Sequence, residues 1–138
     1  MQETPHDPRK LILILDDEPH VVTYLETLLQ DNGYRTVSAA DGKQGLERAK
    51  TEHPDLICLD ITMPEKSGIR FYRELREDRE LGDVPVIVVT AVTGFGRDPA
   101  SFEQFLGKRP QPPPPNAFVP KPIERGEFLA AVSNLLRA

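Results

Sequence analysis

The sequence predicts a doubly wound α/β domain built on five parallel strands. Short apolar runs, rich in β-branched residues and bounded by turn residues, are typical of strands that are buried on both faces of a sheet. Segments of helical periodicity fill the gaps between these runs. Parallel strands need such helical crossovers, which are almost always right-handed. The length of 138 residues fits one domain of ordinary size.

The five predicted strands are not equally clear in the sequence. Four are distinct apolar runs, and one, "YRTVSAA", is weaker. In chain order the strands fall within residues 11–15, 34–40, 55–60, 84–91 and 116–121. Ligands of doubly wound sheets bind in the crevice at the carboxyl ends of the strands. The residues that end or follow each run are therefore the first place to look for a site.

Turn and capping residues indicate where the predicted helices begin and end. Pro19 suits a first helical turn, and Gly33 suits the position after a helix. Asp41, Ser67 and Asp98 are placed to cap the next three helices. The predicted helices cover residues 19–32, 42–50, 68–78, 99–106 and 123–137, each with apolar residues at helical spacing.

Composition excludes several classes of protein. The net charge is −5 with no basic cluster, which argues against a direct nucleic-acid partner. No apolar run approaches the roughly 20 residues that span a bilayer, and we expect no signal peptide, since the first residues show no charged-then-apolar pattern. The single cysteine, Cys58, lies in an apolar run and is interpreted as a small buried hydrophobe. Its solitary state fits a reducing compartment, so we expect a cytoplasmic protein.

The domain is expected to span residues 10–138, after a flexible polar tail over residues 1–9. One low-complexity stretch interrupts it, "RPQPPPP" at residues 109–115. Proline favours extended polyproline II structure, so this stretch predicts a stiff connector before the fifth strand. A docking segment for a partner is the alternative interpretation.

Charged and polar residues end four of the five predicted strands. Asp16 and Asp17 end the first strand, Asp60 the third, Thr90 the fourth and Lys121 the fifth. In the predicted fold these residues meet at one edge of the sheet. Carboxylates packed together repel one another by about 4 kcal/mol per pair at 4 Å and an effective dielectric of 20. A divalent cation would relieve that repulsion, and oxygen ligands favour Mg²⁺.

Each of these residues also has an ordinary interpretation when it is taken singly. Acid pairs often stand at strand ends as solvated turn residues, and a lone aspartate there can cap a helix. Thr90 alone suits a strand, and a Lys-Pro pair alone means little. The joint pattern is far more specific, because every member falls at the carboxyl end of a predicted strand.

The motifs "LILDDE", "LDITMPEKSG", "VIVVTA" and "VPKP" resemble those of the receiver domain of two-component response regulators, the CheY-like family. The resemblance covers residues 10–138. It implies a flavodoxin-like (βα)5 fold with strand order 2-1-3-4-5. It also implies a signalling switch that depends on phosphorylation and Mg²⁺.

The resemblance implies roles for the clustered residues. Asp60 would be the phosphoacceptor. Asp17 and Asp60 would ligate Mg²⁺ with the backbone carbonyl of Thr62, and Asp16 would hold metal-bound water. Lys121 would pair with the phosphoryl oxygens, preceding a cis peptide bond.

A second set of roles concerns the response to phosphorylation. Thr90 would donate a hydrogen bond to the phosphoryl group, and Phe118 would be the aromatic residue that moves inward with it. Phe118 lacks the hydroxyl of the tyrosine that is commoner at this position. Thr62 and Val92 would tune the lifetime of the phosphoryl group. Val92 offers no group to orient an attacking water, which predicts slow loss.

The resemblance further implies the partners. A sensor histidine kinase or a phosphotransfer protein would supply the phosphoryl group. A downstream protein would bind the face formed by the predicted helix at 99–106, the fifth strand and the last helix. The chain ends close to that helix, so we expect a stand-alone receiver without an output domain. Such a switch is not an enzyme beyond its own phosphorylation and dephosphorylation.

Two other functions remain alternatives. A phosphohydrolase with an aspartate nucleophile would use a second acid two residues later, where this chain has Thr62. A scaffold that is never phosphorylated would not require the acid cluster. The three histidines, His6, His20 and His53, form no metal-ligand pattern and are interpreted as surface residues.

Overall fold

The computed structural model describes residues 9–61, 67–90 and 115–137, except for the side chains of Ser67 and Thr90. The strands are β1 (Leu11–Leu15), β2 (Arg35–Ala39), β3 (Leu56–Asp60), β4 (Val86–Thr90) and β5 (Ala117–Pro120). The helices are α1 (Pro19–Asp31), α2 (Gly42–Glu52), α3 (Ser67–Glu77) and the C-terminal helix (Arg125–Leu136). None of these helices is both long and apolar enough to cross a bilayer.

The five strands form one parallel sheet in the order β2-β1-β3-β4-β5. This confirms the predicted class and strand order. Because β1 and β3 are neighbours and parallel, the residues that end them come to the same edge of the sheet. β4 and β5 follow on the other side of β3, so their carboxyl ends reach that edge as well.

The sheet separates two apolar cores because successive side chains of a strand point to opposite faces. One core lies between the sheet and helices α2 and α3, and it includes Leu13, Leu59 and Phe71. The other lies between the sheet and α1 with the C-terminal helix, and it includes Ile14 and Phe128. Because helices cover both faces of the sheet, the carboxyl ends of its strands are held in fixed positions.

Most element boundaries agree with the prediction to within a few residues. Asp41 caps α2 as predicted, and its Oδ1 accepts a hydrogen bond of 2.8 Å from the Gln44 amide. Ser67 was predicted to be a cap but is the first residue of α3, a one-residue difference at a helix end. The predicted helix at 99–106, residues 1–8 of the tail and residues 109–114 lie outside the described residues.

The C-terminal helix begins two residues later than predicted, at Arg125 rather than Ile123. Glu124 is its N-cap, with carboxylate oxygens that accept hydrogen bonds of 2.8 Å from the amides of Gly126 and Glu127. Glutamate is not among the usual capping residues, so the sequence did not mark this start.

The predictions for the cysteine and the described histidines are confirmed. Cys58 is buried in the core under α1 and the C-terminal helix, and burial raises the pKa of its thiol. His20 and His53 are exposed, and His6 lies outside the described residues.

Candidate functional site

Three carboxylates meet at the carboxyl edge of the sheet. Asp16 and Asp17 directly follow β1, and Asp60 is the last residue of β3. One oxygen from each lies within 4.8 Å of the others. Asp16 and Asp60 are only 3% and 2% exposed, whereas Asp17 is exposed to solvent. The cluster is thus open on the side of Asp17 and closed beneath it.

Backbone hydrogen bonds hold the two buried acids in place. The Asp16 amide donates to the Ala39 carbonyl at 3.1 Å, which extends the β1–β2 pairing past the end of β1. The Glu18 amide donates to Oδ1 of Asp16 at 2.9 Å. On the other side of the site, the Ile61 amide donates to the Val89 carbonyl at 3.2 Å. Strand pairing therefore continues through the residues that carry the acids.

Lys121 projects from the end of β5 into the same cluster. Its Nζ atom lies 3.5 Å from Oδ2 of Asp60, 3.6 Å from Oδ2 of Asp16 and 3.2 Å from Oε1 of Glu18. The Lys121–Pro122 peptide bond is cis, as the family resemblance implied. One ammonium thus faces three acids, two of them buried.

The contact between Lys121 and Glu18 is not predicted by the sequence pattern. Glu18 is the third acid of "DDE", which was the only sequence signal available. Its side chain is half-exposed, while that of Lys121 is 19% exposed. Glu18 therefore holds the ammonium from the solvent side, and the aspartates hold it from below.

The crowding of these charges appears in their pKa values. Burial raises the pKa of Asp16 to about 6, and the negative charge of Asp60 acts in the same direction. The Glu18 amide and the Lys121 ammonium oppose that rise without cancelling it. Burial lowers the pKa of Lys121, but Asp60, Asp16 and Glu18 together outweigh burial and raise it. The site therefore carries more negative than positive charge while Lys121 stays protonated.

The chemistry of the cluster fits a hard divalent cation. All the side-chain donors of the group are carboxylate oxygens, which suit Mg²⁺ or Ca²⁺ and not the softer metals. A cation would neutralise the excess negative charge that Lys121 leaves. The exposed Asp17 would leave part of the coordination sphere open to water or to a ligand oxygen.

Of the other predicted site residues, two lie within the described part of the chain and two lie outside it. The backbone of Thr90 ends β4 opposite Pro120, one strand away from Asp60. Phe118 is half-buried in β5 and packs against the core of α2 and α3. Thr62 and Val92 lie outside the described residues.

Comparison with known proteins gives the class of this chain. The model of the response regulator receiver domain matches residues 12–100. The polar-differentiation response regulator DivK of Brucella ovis is 31% identical over 127 residues, which cover 92% of this chain and 96% of DivK. The chain therefore belongs to the response regulator receiver family, and it is a phosphorylation-dependent signalling switch.

Two further proteins are similar to this chain over most of its length. The alkaline phosphatase synthesis transcriptional regulatory protein PhoP of Bacillus subtilis is 34% identical, over 93% of this chain but only 49% of PhoP. The chain thus spans about half the length of the first curated relatives that it matches. The receiver domain of a histidine kinase from Syntrophus aciditrophicus is 28% identical with a TM-score of 0.76, covering 93% of this chain and 90% of that one.

Proposed function

We propose that Asp60 accepts a phosphoryl group from a sensor histidine kinase or a phosphotransfer protein. The phosphorylated chain then signals through protein contacts in the cytoplasm. One observation carries the proposal: the Lys121 ammonium lies 3.5 Å from a carboxylate oxygen of Asp60 inside a cluster of acids. A buried strand-end carboxylate is thereby paired with the cation that a phosphoryl group needs.

The transfer reaction asks little covalent chemistry of the protein. A carboxylate oxygen of Asp60 attacks phosphorus in line as the bond to the donor's imidazole nitrogen breaks, and the electron pair of that bond leaves with the nitrogen. Catalysis then consists mainly of positioning and charge neutralisation. Lys121 supplies both, because its raised pKa keeps it charged and its ammonium lies 3.5 Å from Oδ2 of Asp60.

Asp16, Asp17 and Asp60 would hold Mg²⁺, with the backbone carbonyl of Thr62 as a further ligand. When bound, the ion would supply positive charge to the phosphoryl oxygens, which the single ammonium of Lys121 cannot neutralise alone. The side chains of Asp16 and Asp60 are buried, and the Glu18 amide holds the Asp16 carboxylate, so these two ligands would keep a fixed position.

The response to phosphorylation would run through Thr90 and Phe118. Thr90 ends the strand between Asp60 and β5, and Phe118 is half-buried in β5 itself. Partial burial leaves Phe118 room to pack more deeply against the core of α2 and α3. Thr62 and Val92 would set the lifetime of the phosphoryl group, with slow loss because valine cannot orient water.

A phosphodonor protein must touch the surface beside Asp60. A groove of about 340 Å³ adjoins Lys121 and is lined chiefly by His20, Val21, Tyr24, Pro122 and Ile123. Tyr24 is a large apolar side chain that is 44% exposed there. Lys121 borders both the groove and the acid cluster, so a helix that carries phosphohistidine could seat an apolar side chain in the groove while reaching Asp60.

The downstream partner would bind the face formed by the predicted helix at 99–106, β5 and the C-terminal helix, together with the proline-rich stretch at 109–115. Beryllofluoride mimics the phosphoryl group and allows a direct test by hydrogen exchange. We expect changes in protection at Asn116 to Val119 that exceed those in α2 and α3. Changes confined to the rim around Asp17 and Asp60 would argue against this face.

Intact mass measured after incubation with Mg²⁺ and a small acyl phosphate tests the acceptor. Wild type should gain one phosphoryl mass, and Asp60→Asn should gain none. Asp55→Asn is the matched control, since Asp55 precedes the same strand and accepts a hydrogen bond of 2.8 Å from the Leu11 amide at its opposite end. Labelling of Asp60→Asn equal to wild type would refute the assignment.

The same samples distinguish the alternatives. A phosphohydrolase would release many phosphates per chain from phosphoesters, whereas this switch should turn over only its own aspartyl phosphate. A scaffold would show no labelling under any condition. The absence of an acid at position 62 favours the switch over the hydrolase.

A further inference from the structure

The first turn of α3 lies against the backbone of the proposed phosphoacceptor. Gly68 is the second residue of α3 and is buried. A Cβ atom added to Gly68 would lie 2.7 Å from the carbonyl oxygen of Asp60 and 3.2 Å from the Cα atom of Ile61. Real Cβ atoms essentially never come as close as the first of these distances. The helix can thus pack this closely against Asp60 only because residue 68 is a glycine and has no Cβ atom.

Glycine is needed here for space rather than for backbone freedom. Among the described glycines only Gly33 has a positive φ, so the conformation of Gly68 is open to any residue. The atoms that a side chain would strike belong to the backbone of the β3 end and cannot rotate away. By contrast, the nearest atoms at Gly45 belong to the flexible side chain of Leu15. A methyl group at position 68 must therefore move either α3 or the Asp60–Ile61 peptide.

Displacement of the Asp60–Ile61 peptide would also displace the carboxylate that is proposed to react. The Asp60 carboxylate is attached to the same residue whose carbonyl would be displaced, and its Oδ2 lies 3.5 Å from Nζ of Lys121. The Ile61 amide on the other side of the peptide donates to Val89 at 3.2 Å. A shift of a few tenths of an ångström would therefore change both the acceptor geometry and this hydrogen bond.

We infer that Gly68 is a positioning residue, whose missing side chain lets α3 set the place of the Asp60 carboxylate relative to Lys121. The inference rests on the proposed role of Asp60 as the acceptor. The inference adds that the rate of Asp60 phosphorylation depends on Gly68, which has no side chain to contact the carboxylates or the donor.

The test compares Gly68→Ala with Gly126→Ala. Gly126 is also the second residue of a helix, but an added Cβ there would meet only the Glu124 side chain at 3.4 Å, an ordinary contact. Both changes raise helix propensity equally. Phosphorylation by a small acyl phosphate at saturating Mg²⁺ should be about ten- to a hundredfold slower in Gly68→Ala, as expected for a misplaced reacting group. Gly126→Ala should react at the wild-type rate.

Amide hydrogen exchange gives a readout that does not depend on phosphorylation. In Gly68→Ala, the Ile61 amide should exchange about tenfold faster, while the Asp16 amide, bonded to Ala39 in the neighbouring strand pair, should keep its wild-type rate. Uniformly faster exchange would mean general destabilisation and would overturn the inference. Wild-type rates of both exchange and labelling in Gly68→Ala would overturn it as well.

The two readouts separate this inference from the proposed function. If wild type is not labelled, the proposed function fails, and Ile61 exchange still decides whether Gly68 positions the peptide. If Gly68→Ala does not fold, both measurements are repeated in trimethylamine N-oxide, which favours compact states. A chain that stays unfolded there would show that Gly68 is required for the fold itself, and the positioning role would be rejected.

Discussion

Nζ of Lys121 lies 3.2 Å from Oε1 of Glu18, closer than it lies to the carboxylate of Asp16 or Asp60. An exposed acid therefore shares the ammonium that the proposed transfer reaction requires. The pairing makes Glu18 a competitor for Lys121 before the phosphoryl group arrives.

Glu18→Gln should speed up phosphorylation by a small acyl phosphate. The change removes the competitor for Lys121 and also a negative charge that repels the anionic donor. A half-exposed ion pair contributes about 0–1 kcal/mol, so the gain should be at most about fivefold. Stopped-flow or quenched labelling would measure it, with the exposed Glu52→Gln as the control. A slower reaction in Glu18→Gln would mean that Glu18 orients Lys121 instead of competing for it.

Asp17→Asn should change the stability of the chain in opposite directions with and without Mg²⁺. Without metal, the change removes one of three crowded like charges, so unfolding in urea should require slightly more denaturant. With Mg²⁺ present, wild type gains stability by binding the ion, and the variant should gain much less. A variant that binds Mg²⁺ like wild type in a titration would show that the ligand set is wrong.

Tyr24→Ala should slow phosphotransfer from a protein donor but not from a small one. The aromatic ring lines the groove beside Lys121, where a protein donor would dock and a small donor would not need it. Truncation of a buried aromatic anchor at an interface typically costs about 2 kcal/mol or more, which corresponds to roughly thirtyfold in affinity. Rates measured with the cognate histidine kinase and with acetyl phosphate would separate the two effects. Equal slowing with both donors would place the defect in the site itself and not in docking.

Glu124→Gln should lower stability at neutral pH but not in acid. The amides of Gly126 and Glu127 hold the pKa of Glu124 below its ordinary value of 4.5. A lowered pKa means that the carboxylate stabilises the fold above the unfolded-state pKa, and that this contribution is lost as the pH falls through the folded-state value. Urea unfolding at neutral and acidic pH should show a small difference from wild type that vanishes in acid. The exposed Glu74→Gln is the control, and a difference that persists in acid would contradict the capping role.

The strands and the acid cluster were predictable because their signals are local, whereas the order of the strands was implied by the family resemblance. The apolar run of β1 stops at Asp16 and Asp17, and that of β3 stops at Asp60. The parallel topology then brings these ends together whatever the loops do. Cys58 was equally clear, since it lies in the middle of an apolar run.

The features that escaped prediction depend on distances across the fold. Glu18 and Lys121 are 103 residues apart, and nothing in "DDE" indicates that its third acid meets a lysine. The contact of Gly68 with the Asp60 carbonyl depends on how α3 approaches β3. The Glu124 carboxylate caps a helix by accepting from the amides of Gly126 and Glu127, and glutamate is not a residue type that marks a cap in a sequence.

The buried thiol of Cys58 is an internal probe of how often β3 opens. It is the only cysteine, it lies two residues before Asp60, and its burial shields it from reagents in water. A thiol reagent can therefore modify the native protein only during the moments when β3 opens. The labelling rate of the unaltered chain would report how often the strand beneath the acid cluster opens, and whether metal or a phosphoryl mimic keeps it shut.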